Sequence, residues 1–109
     1  MDRIGAEAFD GIQLRRSGNW AVAFLADWCP FCRAFLPQFE ALAGTGPFQL
    51  AVADLTDYDT PLWERFEVDV VPTIVVFRGG KPSFRRDGRL GQGLGEADLK
   101  ALRADLGSV

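Results

Sequence analysis

Both cysteines of the chain lie in the stretch "DWCPFCR", as Cys29 and Cys32, with a tryptophan before the pair and a proline inside it. Thiols at this spacing suit dithiol exchange: one thiolate attacks a disulfide, and the second resolves the mixed disulfide that results. Pro30 supplies the geometry. Proline fits the first position of a helix, where its missing N–H would be unpaired anyway, so a helix is expected to start there with Cys29 as its exposed N-cap. In that place Cys29 faces free backbone N–H groups and the positive end of the helix dipole, which favour thiolate over thiol. Cys32 is then one turn inside, with the two Cα atoms roughly 5 Å apart, close enough for a disulfide.

Other uses of the pair compete with this one. Buried cysteines serve as small apolar filler, but a Cys-x-x-Cys at a helix start behind an apolar strand suits that role poorly. Cys-x-x-Cys is also half of a structural zinc site. The chain has no second cysteine pair and no histidine, so zinc would have to be held between two chains. The lack of histidine also removes the Ser-His and Cys-His nucleophile systems. Proton transfer falls to carboxylates, lysine, tyrosine, thiols or water.

The elements that must hold the pair alternate between strand and helix. "WAVAFLA", residues 20–26, is a continuous apolar run of strand length, the pattern of a strand covered on both faces. A helix over 29–43 follows, with Phe35, Phe39 and Leu42 at helical spacing, a kink at Pro37 and a stop at "GTGP". Residues 48–55 form a second apolar strand, and Leu62, Trp63 and Phe66 mark a short helix over 60–67. "TIVVF", residues 73–77, turns at Gly79-Gly80 into a more polar strand over 83–87, which reads as a hairpin. The last helix spans 95–106, with Leu99, Leu102 and Leu106 on one face and Glu96 and Asp98 complementing its N-terminal dipole. Ahead of all these, Phe9, Ile12 and Leu14 among charges suggest a weakly amphipathic helix over 6–16. The simplest packing is α/β: a βαβ half and an antiparallel ββα half in one central mixed sheet, with helices on both faces.

Composition bounds the rest. At 109 residues and 48% hydrophobic, the chain is expected to be a single domain, residues 1–109, with one core. Its formal charge of −3 opposes the attraction that dominates nucleic-acid binding. No run approaches the roughly 18 apolar residues of a membrane span, and the first residues lack the order of a secretory signal, so a cytoplasmic protein is expected.

With these elements in place the sequence resembles the thioredoxin family over almost its whole length. "AFLADWCPFCRAFLPQFEAL" is similar to the family's active-site strand and kinked helix, "LAVADLT" to its central strand, and "VVPTIVVFRGGKP" to its proline-bearing loop and hairpin. The resemblance implies a thiol-disulfide oxidoreductase that reduces protein disulfides, with Cys29 as nucleophile and Cys32 as resolving thiol. It also implies a monomer with no cofactor beyond the redox-active pair, recharged by a reductase of the thioredoxin reductase type or by glutathione. Trp28 matches the family's surface tryptophan, and Pro72 its cis-proline, with Val71 offering backbone hydrogen bonds to a substrate strand. Gly88 matches a glycine near the groove, and "RLGQGLG" looks like a short insertion after it. Trp28, Pro30, Phe31, Val71, Pro72 and Gly88 are thus the candidate substrate contacts, Phe31 exposed beside the thiolate. Arg33 follows the pair, as a basic residue often does in the family.

Three departures stand out. The family's usual Gly-Pro is Pro30-Phe31, closer to the Cys-Pro-aromatic-Cys of dithiol glutaredoxins, which keeps a glutathione-dependent enzyme as one alternative. A redox-inactive or metal-bridging module that binds peptides is another. The buried strand aspartate of thioredoxins falls at Ala23, and the neighbouring lysine at Asp54. Asp54 is therefore the candidate replacement acid: partly desolvated, its pKa raised by burial, and linked to Cys32.

Overall fold

The computed structural model describes residues 1–107. Its centre is a five-stranded mixed sheet. The strands are β1 (Asp2–Ile4), β4 (Asn19–Leu25), β5 (Gln49–Asp54), β6 (Thr73–Arg78) and β7 (Lys81–Asp87), in the order β1-β5-β4-β6-β7. The most apolar run, β4, takes the middle, parallel to β5 on one side and antiparallel to β6 on the other. Each of its residues from Trp20 to Leu25 is buried, as a strand covered on both faces requires.

Register assigns the two faces. Trp20, Val22 and Phe24 stand beside Phe77, Val75 and Thr73 of β6, while Ala21 and Ala23 stand beside Val76 and Ile74 on the other face. On the first face Phe9, Phe24, Phe66 and Phe77 form an aromatic cluster with ring centroids 4.9–6.2 Å apart. Small alanines on the second leave room for α1 (Pro30–Glu40), whose Phe35 and Phe39 are buried, and for α3 (Glu96–Gly107), which buries Leu99, Leu102 and Leu106. Helix α1 crosses from β4 to the parallel β5. Pro37 lies inside it, and the chain leaves it through Leu42 to Gly44 at φ +76. The β6–β7 hairpin closes at Gly79 and Gly80, both at positive φ, the conformation that glycine reaches without strain. Helix α2 (Leu62–Arg65) is shorter than its apolar spacing suggests.

The N-terminal region departs from expectation. No helix covers 6–16; a single 3-10 turn at Ala6–Ala8 leads into a small hairpin of β2 (Phe9–Asp10) and β3 (Gln13–Leu14). Gly11 at φ +61 stops a helix, and pairing Phe9 with Leu14 puts both in the core while Ile12 stays half exposed. Burying Phe9 against three other phenylalanines outweighs a weak helical period. Strand β1 is a second departure. It pairs in parallel with β5, Arg3 opposite Val52, and buries only Ile4.

Candidate active site

Cys29 caps α1. Its φ and ψ of −93 and 114 are extended, Pro30 occupies the first helical position, and the Cys29 sulfur accepts the backbone N–H of Cys32 at 3.2 Å. Both cysteines are free thiols. The cap is not exposed as the sequence suggests: Cys29 is 5% and Cys32 2% accessible. What covers Cys29 is the loop before β6, since its thiol donates to the Val71 carbonyl at 3.6 Å. The Val71–Pro72 bond is cis.

Of the expected contact residues, Trp28, Pro30 and Phe31 are exposed, whereas Val71, Pro72 and Gly88 are buried. Trp28 and Phe31 are each 42% exposed. The Trp28 indole N–H donates to the Thr56 carbonyl at 2.9 Å, and its ring stacks between Tyr58 at 5.2 Å and Trp63 at 6.2 Å. Gly88 is buried against the Pro72 carbonyl oxygen so closely that a Cβ could not be accommodated without a backbone shift. This is a physical need for glycine there.

Cys32 opens to a different side. It lines a cavity of about 250 Å³ together with Arg3, Leu25, Ala26, Asp27, Arg33 and Leu36. Arg3 is ion-paired to the Asp27 carboxylate, and Arg33 donates to the Asp27 carbonyl at 3.0 Å. Burial pushes the Cys32 thiol up to about 12, with the hydrogen bond and charge of Cys29 adding to it, while the Ala26 backbone and the Arg33 charge pull it down.

Asp54 does not take the place expected of it. Burial raises its pKa, but the Thr56 hydroxyl and backbone N–H and the Arg3 guanidinium outweigh that and hold it below the ordinary carboxylate value. The Thr56 N–H donates to it at 2.9 Å, Arg3 lies at 3.8 Å, and the side chain is 39% exposed. It does not line the cavity of Cys32. It is a solvated, ion-paired strand end rather than a relocated buried acid.

Asp98, expected only to complement the dipole of the last helix, is instead a buried hub. The Asp98 side chain, 1% exposed, accepts the Gly95 N–H at 2.8 Å, Arg86 at 3.0 Å and Arg89 at 3.1 Å. Its burial raises its pKa, and these three donors more than reverse that. The sequence signal was available: an acid at the third position of a helix after glycine is placed to accept that glycine's N–H. Among the described residues no three His, Cys, Asp or Glu side chains cluster as a metal site, and no helix is long and apolar enough to cross a membrane.

Comparison with known proteins agrees with this geometry. The Thioredoxin family model matches residues 3–100. The chain belongs to the thioredoxin family. A thioredoxin domain-containing protein of Theileria parva is 38% identical over 66 residues, 60% of this chain and 30% of that protein. The bifunctional thioredoxin reductase/thioredoxin of Mycobacterium leprae is 35% identical over 81% of this chain and 18% of its own length, and mouse protein disulfide-isomerase A4 is 38% identical over 56% of this chain and 10% of its own. The chain thus spans less than a third of the length of these curated relatives. Among solved structures, spinach chloroplast thioredoxin F superposes with a TM-score of 0.75 at 16% identity, covering 98% of this chain and 84% of that one, which speaks to the thioredoxin fold alone. A mutant thioredoxin of Halobacterium salinarum reaches 0.66 at 27% identity, over 83% and 75% of the two chains.

Proposed function

We propose that this thioredoxin-family chain reduces protein disulfides through a Cys29–Cys32 dithiol cycle. The observation that carries the reading is the cap: the Cys29 sulfur accepts the Cys32 N–H at the start of a helix, a position that stabilises negative charge on sulfur. Cys29 attacks one sulfur of the substrate disulfide; a Cys29–substrate bond forms, the substrate bond breaks, and the other substrate sulfur leaves and takes a proton. Cys32 then loses its proton and attacks Cys29, forming the intramolecular disulfide and releasing the second substrate thiol. Two electrons pass to the substrate. A reductase returns them; the relative from M. leprae, named as reductase and thioredoxin in one chain, is in keeping with such a donor.

The order of events follows from the electrostatics of Cys32. While Cys29 is free, its hydrogen bond and charge help hold the Cys32 proton. Once Cys29 is bound in a mixed disulfide its negative charge is gone, and the pull of Arg33 and the Ala26 backbone acts against burial alone. Attack by the first thiol thereby readies the second. The proton leaves through the cavity beside Cys32, where Asp27 is the lining carboxylate, ion-paired to Arg3, and Arg33 favours the thiolate left behind.

The test is dithiothreitol-dependent reduction of insulin. Wild-type protein is expected to accelerate it, Cys32→Ser to accumulate a mixed disulfide with the substrate, and Cys29→Ser to do neither. No acceleration by the wild type, or equal trapping by both variants, refutes the assignment.

A further inference from the structure

The Cys29 thiol, donating to the Val71 carbonyl at 3.6 Å, bridges the start of α1 and the loop before β6. A second tie crosses the same junction through residues 88–95, between β7 and α3. At one end of this segment the Gly88 backbone lies against the Pro72 carbonyl, where a Cβ would stand 2.4 Å from the oxygen. At the other end Gly93 lies against Phe31 in the first turn of α1, where a Cβ would stand 2.8 Å from the Phe31 Cβ. Both glycines are buried. The segment is a strap, joining the two elements that Cys29 also joins.

Little apolar burial fixes the strap, since Arg89, Leu90, Gly91 and Gln92 are exposed and Leu94 is its buried apolar side chain. Hydrogen bonds hold it instead. Within it, the Arg89 N–H donates to the Gly93 carbonyl at 3.1 Å, and the Gly93 and Gln92 N–H groups return to the Arg89 carbonyl at 2.8 and 2.9 Å. From α3, the Asp98 carboxylate accepts the Arg89 guanidinium at 3.1 Å, the Gly95 N–H at 2.8 Å and Arg86 of β7 at 3.0 Å. A carboxylate only 1% exposed is a poor choice for stability alone, because an apolar residue of similar size often serves as well. Its donors come from near the start of the strap, from its end and from the neighbouring strand, so what the charge adds is a fixed place for the strap.

We propose that Asp98 is a positioning residue for the reactive sulfur: through Arg89 and the strap it clamps the loop before β6 against the start of α1 and so keeps Cys29 covered. Loosening the clamp frees both sides of the junction, which leaves the Cys29–Val71 contact to open more often. Cys32 is not held by this route. It faces the cavity lined by Arg3, Asp27 and Arg33, which the strap does not line. The inference rests on Cys29 as the attacking thiol. Alkylation tests it without a disulfide substrate, so it stands or falls separately from insulin reduction.

The rates at which iodoacetamide labels Cys29 and Cys32 are measured in the reduced, full-length protein by timed quenching and peptide mapping. Asp98→Asn is expected to speed labelling of Cys29 at least about fivefold, since losing a charge-assisted hydrogen bond shifts a local opening equilibrium by that much or more. Labelling of Cys32 should stay within about twofold of wild type. Arg89 is 55% exposed, so its variants spare the core and keep the test open if Asp98→Asn folds poorly. Arg89→Gln should reproduce the selective rise at Cys29, and Arg89→Lys, which keeps the charge, should restore the wild-type rate. The double variant should label no faster than Asp98→Asn alone, as expected for two groups acting along one route. Arg78→Gln removes the Arg78 contacts to Asp105 near the other end of α3 and should leave Cys29 unchanged. Wild-type labelling of Cys29 in Arg89→Gln, a rise shared equally by Cys32, or an equal rise in Arg78→Gln overturns the inference.

Discussion

The acidity of Cys32 can be read directly from its reactivity. A thiol moved from 9.0 to about 12 is, at pH 8, ionised to about one part in ten thousand instead of about one-tenth, a roughly thousandfold loss of the reactive form. Higher basicity returns part of this, because nucleophilicity rises with a Brønsted slope of about 0.4–0.5, or roughly 15–30-fold over three units. The net expectation is alkylation of Cys32 by iodoacetamide at least about thirtyfold slower than a free cysteine, before its 2% exposure slows it further. Timed quenching and peptide mapping of the reduced protein measure both sites at once, with Cys29 labelled first. Cys29→Ala removes the neighbouring hydrogen bond and charge, and should speed labelling of Cys32 although its burial is unchanged. Labelling of Cys32 in the wild type within a few-fold of free cysteine, or at the same rate in Cys29→Ala, would refute the electrostatic account of why the second thiol waits.

Other consequences are open to measurement. Asp98→Asn is expected to cost about 2–3 kcal/mol in urea unfolding, since charge-assisted hydrogen bonds are lost while the half-exposed Arg86 and Arg89 recover water. Because the folded pKa of Asp98 is depressed, its stabilisation is complete above the unfolded carboxylate value near about 3.9 and is lost as pH falls through the folded value; the variant should flatten that acid limb. Gly88→Ala should destabilise by about 1–3 kcal/mol, as the Cβ forces the backbone off Pro72; an unchanged unfolding midpoint would contradict the packing. Asp54→Asn should leave the rate and pH profile of mixed-disulfide resolution at wild-type values, and a tenfold loss in stopped-flow measurements would restore it as a proton acceptor.

What the sequence discloses depends on where each signal is stored. The cysteine pair, the cap at Pro30 and the apolar runs of β4 and β6 are local patterns, and they place the site on the right helix beside the right sheet. Strand β1 has no such pattern: two of its three residues are charged, and it exists because β5 offers an edge. Missing β1 had a cost at Asp54. The cation that neutralises that carboxylate and lines the Cys32 cavity is Arg3, set opposite Val52 by the same pairing. The hairpin of β2 and β3 was likewise illegible, because Phe9 follows a tertiary cluster of rings and not a period along the chain.

The sheet ends on two different kinds of edge. Strand β1 offers three residues, two of them charged, and β7 reads Lys-Pro-Ser-Phe-Arg-Arg-Asp with a register irregularity opposite Val76 and Phe77. Short length, proline, like charges and a bulge are the devices that prevent a free edge from recruiting another strand. Under the dithiol cycle proposed above, the polypeptides that meet this surface are loosened and carry unpaired backbone of their own, and borders of this kind discourage them from adding to the sheet as a further strand.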